Sequence, residues 1–155
     1  MDIKRCTKES FAVIGREGST LDGKNFIQKL WDEVDSHFNE ISDLALKDIN
    51  GNIVGRWGLT SDFNHNLKPW EENYRRGLYL AGVECNIDAD APYGWTKWII
   101  PSYEYIYVEI ENKDTFIKTI FYLEENNIPL IGGVNKYYSP ITKKDYLFFP
   151  IKKID

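Results

Sequence analysis

The chain has 155 residues, of which 43% are apolar and 15% aromatic, and its 19 Lys and Arg against 24 Asp and Glu give a formal net charge of −5. So many aromatic residues supply enough surface to bury on folding, which excludes intrinsic disorder. The acidic balance argues against unaided binding of nucleic acid, and no apolar run approaches the roughly 20 residues of a membrane span. We therefore expect one globular domain over residues 1–155.

Residue types with special chemistry are sparse. Cys6 and Cys85 lie far apart without metal-ligand spacing, so we expect free thiols in a reducing compartment. Residues 1–16 have no apolar core of signal-peptide length, which favours a cytoplasmic location. His37 and His65 are isolated, and no Gly-x-Ser-x-Gly motif occurs. We therefore expect no metal, no cofactor and no catalytic residue.

The first half of the chain predicts the order β-α-β-β. Apolar and β-branched runs indicate strands, and one apolar stripe at intervals of three or four indicates a long helix. The predicted elements are a strand at 11–14, a helix at 25–46, and strands at 53–61 and 78–85. The polar segment 62–77 carries Trp70, and it either rims a pocket or is a solvated loop.

The second half repeats this rhythm. After an extra strand at 95–100, the patterns predict a strand at 103–110, a helix at 114–126, and strands at 130–138 and 145–151. The expected fold is α+β, a pseudo-twofold duplication of a β-α-β-β unit with half-repeats at about 1–86 and 95–155. An antiparallel sheet with two helices on one face and a ligand cleft between the halves would satisfy this order.

A glycine-rich segment precedes the first predicted helix. Residues 18–25 resemble the phosphate-binding G-x-x-x-x-G-K-[ST] loop, but Asn25 stands where the Mg²⁺-binding hydroxyl should be. Because that loop normally belongs to a parallel sheet, we interpret the glycines as a turn between strand and helix.

Three tyrosines share one face of the strand at 103–110. Strand alternation places Tyr103, Tyr105 and Tyr107 together, and the opposite face carries Ile106 and Val108 for packing against a helix. The tyrosines either line a concave pocket for flat or cationic ligands or simply cover the back of the sheet. In the strand at 78–85, Glu84 lies among apolar neighbours and needs a partner. It either anchors a cationic ligand or reaches solvent or an arginine.

Three segments resemble the GyrI-like small-molecule-binding domain, which is the effector-binding domain of AraC-type and MerR-type regulators. They are Gly-Leu-Tyr-Leu-Ala-Gly-Val-Glu at 77–84, Gly-Trp-Thr-Lys-Trp-Ile-Ile-Pro-Ser-Tyr-Glu-Tyr at 94–105, and Tyr-Leu-Phe-Phe-Pro-Ile-Lys-Lys at 146–153. The resemblance implies a pseudo-twofold fold whose central cleft binds bulky, hydrophobic, often cationic aromatic compounds. In regulators of this kind the domain is fused to a helix-turn-helix reader, for which 155 residues leave no space. The resemblance therefore implies a stand-alone form.

One residue departs from the pattern of that family. An acidic residue is common just before an aromatic in the penultimate strand, and this chain has Lys136 there, followed by Tyr137. Either Glu84 or another acid then serves as the anchor, or the protein prefers neutral or anionic ligands. The departure also weakens an enzymatic interpretation, because a carboxylate base is missing at that position.

The sequence thus predicts a cytoplasmic protein that binds small hydrophobic aromatic compounds and has no direct nucleic-acid or membrane partner. Two alternatives stay open. The first is a hydrolase of cyclopropane-type genotoxins, with Glu84 or Glu104 as base and a tyrosine as proton donor. The second is an interaction module, such as a gyrase inhibitor, that docks on a protein partner through its acidic surface. Glu84 and Lys136 are the candidate polar anchors. The candidate walls are Trp57, Tyr79, Trp98, Tyr103, Tyr105, Tyr107, Tyr137 and Phe148.

Overall fold

The computed structural model describes residues 1–154. Segments rich in β-branched and aromatic residues form eight strands, which pair into one antiparallel sheet. The helices are α1 (Phe26–Ser36), the four-residue turn α2 (Glu71–Tyr74) and α3 (Thr115–Glu125). The strands are β1 (Lys4–Lys8), β2 (Phe11–Ser19), β3 (Arg56–Ser61), β4 (Leu78–Cys85), β5 (Thr96–Ile100), β6 (Tyr103–Glu109), β7 (Asn135–Tyr138) and β8 (Asp145–Lys153).

The strand order is symmetric about the centre of the sheet. It runs β1-β6-β8-β7-β3-β4-β2-β5, so β3 and β7 meet in the middle and join the two β-α-β-β units. An additional strand precedes each unit and forms an edge of the sheet beside the other unit: β1 precedes β2 but pairs with β6, and β5 precedes β6 but pairs with β2. This arrangement confirms the predicted α+β class and the antiparallel sheet. Since every strand pair is antiparallel, the segment 18–25 lacks the parallel setting of a phosphate-binding loop.

The two faces of the sheet carry different cores. On one face, here called the helical face, α1 packs on Ile14 and Val83, and α3 packs on Ile106 and Phe149. On the other face, here called the aromatic face, buried aromatic rings from both halves of the sheet pack around Trp57. The predicted alternation in β6 is therefore confirmed, because Ile106 and Val108 lie under α3 while the tyrosines point the other way. The aromatic face buries Phe11, Trp57, Trp98, Tyr103, Tyr105 and Phe148.

The helix predicted at 25–46 is too long, and one strand of the sheet was not predicted. The helix predicted at 25–46 ends at Ser36, and a 3-10 turn at Phe38–Glu40 follows. Ile41 continues the apolar spacing of the helix and is fully buried beside α1, but it reaches this position from a turn and not from a longer helix. Strand β1 was not predicted, because it is an edge strand whose mostly charged, exposed residues give no apolar alternation. Nowhere in residues 1–154 does a helix combine the length and hydrophobicity that crossing a membrane requires.

Candidate ligand-binding cleft

A cleft of about 410 Å³ opens on the helical face between α1 and α3. It lies over β3 and β7, where the two halves of the sheet meet, so both halves contribute to its lining. Its size is within the range of pockets that hold small organic ligands. The lining residues are Ile27, Gln28, Trp31, Gly58, Thr60, Pro69, Trp70, Tyr74, Tyr79, Phe116, Val134, Lys136 and Leu147.

The floor of the cleft depends on a glycine. Gly58 in β3 is the register partner of Lys136 in β7, and the phenol of Tyr79 in β4 lies over Gly58. A Cβ atom at position 58 would overlap the phenol oxygen, so a glycine is needed for this close approach. Burial raises the pKa of Tyr79 from its ordinary value near 10 to about 12, so its phenol stays protonated well above neutral pH.

Aromatic side chains from three separate segments form the walls. Trp31 comes from α1, Phe116 from α3, and Trp70 and Tyr74 from the segment between β3 and β4. The rings of Tyr74 and Phe116 meet edge to face with centroids 5.3 Å apart, which joins the two halves at one wall. The indole of Trp70 is fixed by a hydrogen bond of 2.8 Å from Nε1 to the carbonyl of Leu78.

A buried carboxylate organises the start of that segment. Oδ1 of Asp62 accepts hydrogen bonds from the backbone N–H of Asn66 at 2.9 Å and of Lys68 at 3.2 Å, and from the hydroxyl of Ser61 at 3.0 Å. Burial alone would raise the pKa of Asp62, but these hydrogen bonds outweigh it and hold the pKa below its ordinary value. The charged form of Asp62 thus fixes the path of the chain toward Trp70 and the wall of the cleft.

Lys136 is the one lysine or arginine in the cleft lining, and the lining contains no carboxylate within residues 1–154. It also borders an adjoining recess of about 230 Å³, which Arg56, Tyr138 and Asp145 share. The charge of Arg56 is already paired, since its guanidinium lies 3.0 Å from Oδ1 of Asp35 and stacks 4.6 Å from the Trp31 ring. Lys136 forms no ion pair with a carboxylate of residues 1–154.

The predicted site residues divide between the two faces of the sheet. Tyr79 and Lys136 line the cleft. Four others border a cavity of about 210 Å³ on the aromatic face, together with Lys8: they are Trp57, Glu84, Tyr137 and Phe148. Trp98, Tyr103, Tyr105 and Tyr107 belong to the aromatic core beside that cavity. A ligand-binding role for the residues on the aromatic face stays a prediction.

The two candidate bases, Glu84 and Glu104, are both engaged by other side chains. Oε1 of Glu84 accepts a hydrogen bond of 3.0 Å from Nε1 of Trp57, and Oε2 lies 3.3 Å from the ammonium of Lys8. Glu104 pairs with Arg5 at 3.0 Å. Neither carboxylate borders the cleft between the helices.

Four aromatic wall residues were not among the predicted site residues. Trp31 and Phe116 fit the apolar stripes of their helices, and such stripes usually pack into a core. Trp70 stood out only as a large aromatic in a polar segment, and Tyr74 gave no signal.

No protein-family model matches the chain, and no curated protein matches its sequence. Solved structures do match. The structure of SAV2435 bound to tetraphenylphosphonium aligns with a TM-score of 0.66 and 15% identity over 98% of this chain and 94% of that one. The EcmrR C-terminal domain aligns with a TM-score of 0.64 and 11% identity over 99% and 98%. The EcmrR chain in a complex with DNA aligns with a TM-score of 0.60 and 10% identity, and this chain spans 58% of it.

These alignments cover almost the whole of this chain, so it shares the fold of SAV2435 and of the EcmrR C-terminal domain. At identities this low, the similarity establishes the fold and leaves the ligand to be argued from the site. The resemblance predicted from the sequence is thus confirmed at the level of the fold.

Proposed function

We propose that the protein binds small aromatic molecules in the cleft between α1 and α3. The observation that carries this proposal is the convergence of Trp31, Trp70, Tyr74 and Phe116 around a cleft of about 410 Å³. Aromatic rings supply flat apolar surface for stacking and edge-to-face contacts. Burial of ligand surface, at roughly 25 cal/mol per Å² of apolar area, would provide most of the affinity.

The fold comparison supports the same proposal. SAV2435, whose fold this chain shares, binds tetraphenylphosphonium, a compound with four aromatic rings. A role in effector binding or in sequestration of such compounds in the cytoplasm fits a domain of this kind. The hydrolase alternative needs a carboxylate base at the ligand, and the described lining of the cleft contains no carboxylate.

A fluorescent neutral probe tests the proposal directly. We expect phenylnaphthylamine, an uncharged dye, to bind with a blue-shifted emission and to quench the tryptophans of the cleft. Phe116→Ala should weaken binding, whereas Phe121→Ala should not, because Phe121 lies exposed on the same helix and does not border the cleft. The two variants make the same substitution in α3, so their difference isolates the cleft wall.

Two outcomes would contradict the proposal. If phenylnaphthylamine does not bind, the cleft is not an aromatic site. If Tyr107→Ala abolishes binding while Phe116→Ala does not, the site lies on the aromatic face.

A second experiment separates binding from hydrolysis, in which the protein is incubated with an excess of a strained electrophile. A binder gives a stoichiometric signal, whereas an enzyme gives turnover that Glu84→Gln removes.

A further inference from the structure

The charge of the cleft points to the class of ligand. We infer that the cleft selects aromatic organic anions, which place their acid group at Lys136 and their rings between Trp70 and Phe116. This inference rests on the proposed function, because it assigns a charge preference to the same site. The ligand class is defined by a carboxylate, sulfonate or similar acid on an aromatic body.

Lys136 lies at the junction of the cleft and the adjoining recess. The side chain emerges from the central strand β7 beside Gly58, which has no side chain to cover it. Lys136 borders both the cleft and the adjoining recess, and it is exposed to solvent. An acid group at the junction of these two spaces could therefore reach the ammonium while the rings of the same molecule fill the apolar part.

The balance of charges around the ammonium of Lys136 favours an anionic ligand. Among the charged groups bordering the two spaces, Arg56 is paired with Asp35, which leaves Lys136 and Asp145. Asp145 lies in β8, two residues from Leu147, and Leu147 is the register partner of Lys136. Asp145 borders the recess but not the cleft, and it forms no ion pair with Lys136. The cleft itself thus presents one positive charge and two phenols.

The phenol of Tyr79 on the floor of the cleft is compatible with an anionic ligand. Tyr79 is neutral near pH 7, as any tyrosine is, and burial raises its pKa further to about 12, so its phenol keeps the proton with which it can donate a hydrogen bond. A neutral phenol does not oppose an anion, whereas a carboxylate in the lining would. A cationic ligand would find no counter-ion in the described lining of the cleft and would face the charge of Lys136.

A matched pair of dyes tests the inference. Anilinonaphthalene sulfonate and phenylnaphthylamine share one skeleton, and the first carries an additional sulfonate. We expect the wild-type protein to bind the sulfonate more tightly than the neutral dye, and to bind tetraphenylphosphonium weakly. Added salt should reduce the preference for the sulfonate, because the charge of Lys136 is exposed.

Variants in the cleft then identify the group responsible. Lys136→Gln should reduce the ratio of the affinity for the sulfonate to the affinity for the neutral dye by roughly two- to fivefold, as for one exposed ion pair. Asp145→Asn should act in the opposite direction and strengthen binding of the sulfonate. Lys152→Gln is the control, because it removes the same charge from an exposed position in β8, five residues beyond Leu147.

The failure of this inference differs from the failure of the proposed function. If neither dye binds, the proposed function is wrong. If the neutral dye binds and depends on Phe116, but the sulfonate adds no affinity or Lys136→Gln leaves the ratio of the two affinities unchanged, the binding site is right and the charge preference is wrong. Tighter binding of tetraphenylphosphonium than of the sulfonate would also overturn the inference.

Discussion

The ammonium of Lys8 in β1 lies 3.3 Å from Oε2 of Glu84 in β4, although four strands separate β1 from β4 in the sheet. Such a contact requires the sheet to curl around its aromatic face. The ammonium also lies 4.4 Å from the centre of the Phe11 ring, which adds a cation–π contact. The pair therefore closes the aromatic face, and Glu84 has in Lys8 the partner that its apolar surroundings require.

Loss of this pair should destabilise the fold. We expect Glu84→Gln to lower the free energy of unfolding by about 1–3 kcal/mol, the range for a largely buried hydrogen-bonded charge. Urea denaturation measures the loss. Glu104→Gln is the matched control: its partner Arg5 is more than half exposed, so the cost should be below about 1 kcal/mol. Equal losses in the two variants would show that Lys8 and Glu84 do not hold the face closed.

The phenol of Tyr79 should make the fold sensitive to alkali. Its pKa rises from an ordinary value near 10 to about 12 in the folded protein, so the unfolded chain loses this proton first. The contribution of Tyr79 to the free energy of unfolding is fully present below about pH 10 and is lost as pH rises through about 12. Its maximum is roughly 2.7 kcal/mol, which corresponds to two pKa units.

The alkaline effect is measured by comparing the wild type with Tyr79→Phe. Urea unfolding at a series of pH values should show a steeper loss of stability for the wild type between about pH 10 and pH 12. Other tyrosines, including Tyr103 and Tyr137, also have raised pKa values and affect both proteins alike. Parallel curves for the two proteins would mean that the phenol of Tyr79 is not buried in solution.

Asp62 should give the opposite dependence at acid pH. Its pKa lies below the ordinary 3.8 in the folded protein, so its stabilisation is present above that value and is lost as pH falls through the folded pKa. We expect Asp62→Asn to be less stable than the wild type by about 1–2 kcal/mol near neutral pH. The difference should shrink in acid, and thermal unfolding as a function of pH measures it. A difference that is independent of pH would assign the effect to packing alone.

Gly58 should be intolerant of any side chain. In Gly58→Ala the new methyl group would meet the phenol oxygen of Tyr79, and overpacking of this kind costs about 1–3 kcal/mol. Binding of phenylnaphthylamine should weaken as well, since Tyr79 must move from the floor of the cleft.

The contact itself is tested by a double-mutant cycle. In a Tyr79→Leu background, which lacks the phenol, Gly58→Ala should cost clearly less than in the wild type. Strictly additive effects on the free energy of unfolding would show that Gly58 and Tyr79 do not meet as described.

Much of the fold was predictable from local patterns. The alternation in β6 assigned Ile106 to the helical face and Tyr105 to the aromatic face, and both assignments are confirmed. The apolar stripe of α3 likewise gave its extent to within a residue at each end. The first helix was predicted too long, because Phe38 and Ile41 keep helical spacing while they lie in turns. Strand β1 was missed, because pairing at an edge requires no apolar pattern.

The site was less predictable, and the reason is the curvature of the sheet. Alternation assigns residues to a face, but it does not reveal which face leaves open space. Both faces of this sheet carry aromatic rings, such as Trp57 on one and Tyr79 on the other. On the aromatic face the contact between Lys8 and Glu84 draws distant strands together around these rings. On the helical face the separation of α1 from α3 leaves the cleft of about 410 Å³.

The sequence by itself determined the α+β class, the repeated order of elements, the faces of the central strands and the unusual lysine at position 136, because these depend on local periodicity and residue identity. The tertiary structure alone decided where a cleft opens. Trp31, Trp70 and Phe116 are far apart in the chain and line one cleft because β3 pairs with β7 at the centre of the sheet. That pairing joins residues about 80 positions apart, and no local pattern encodes contacts of such range.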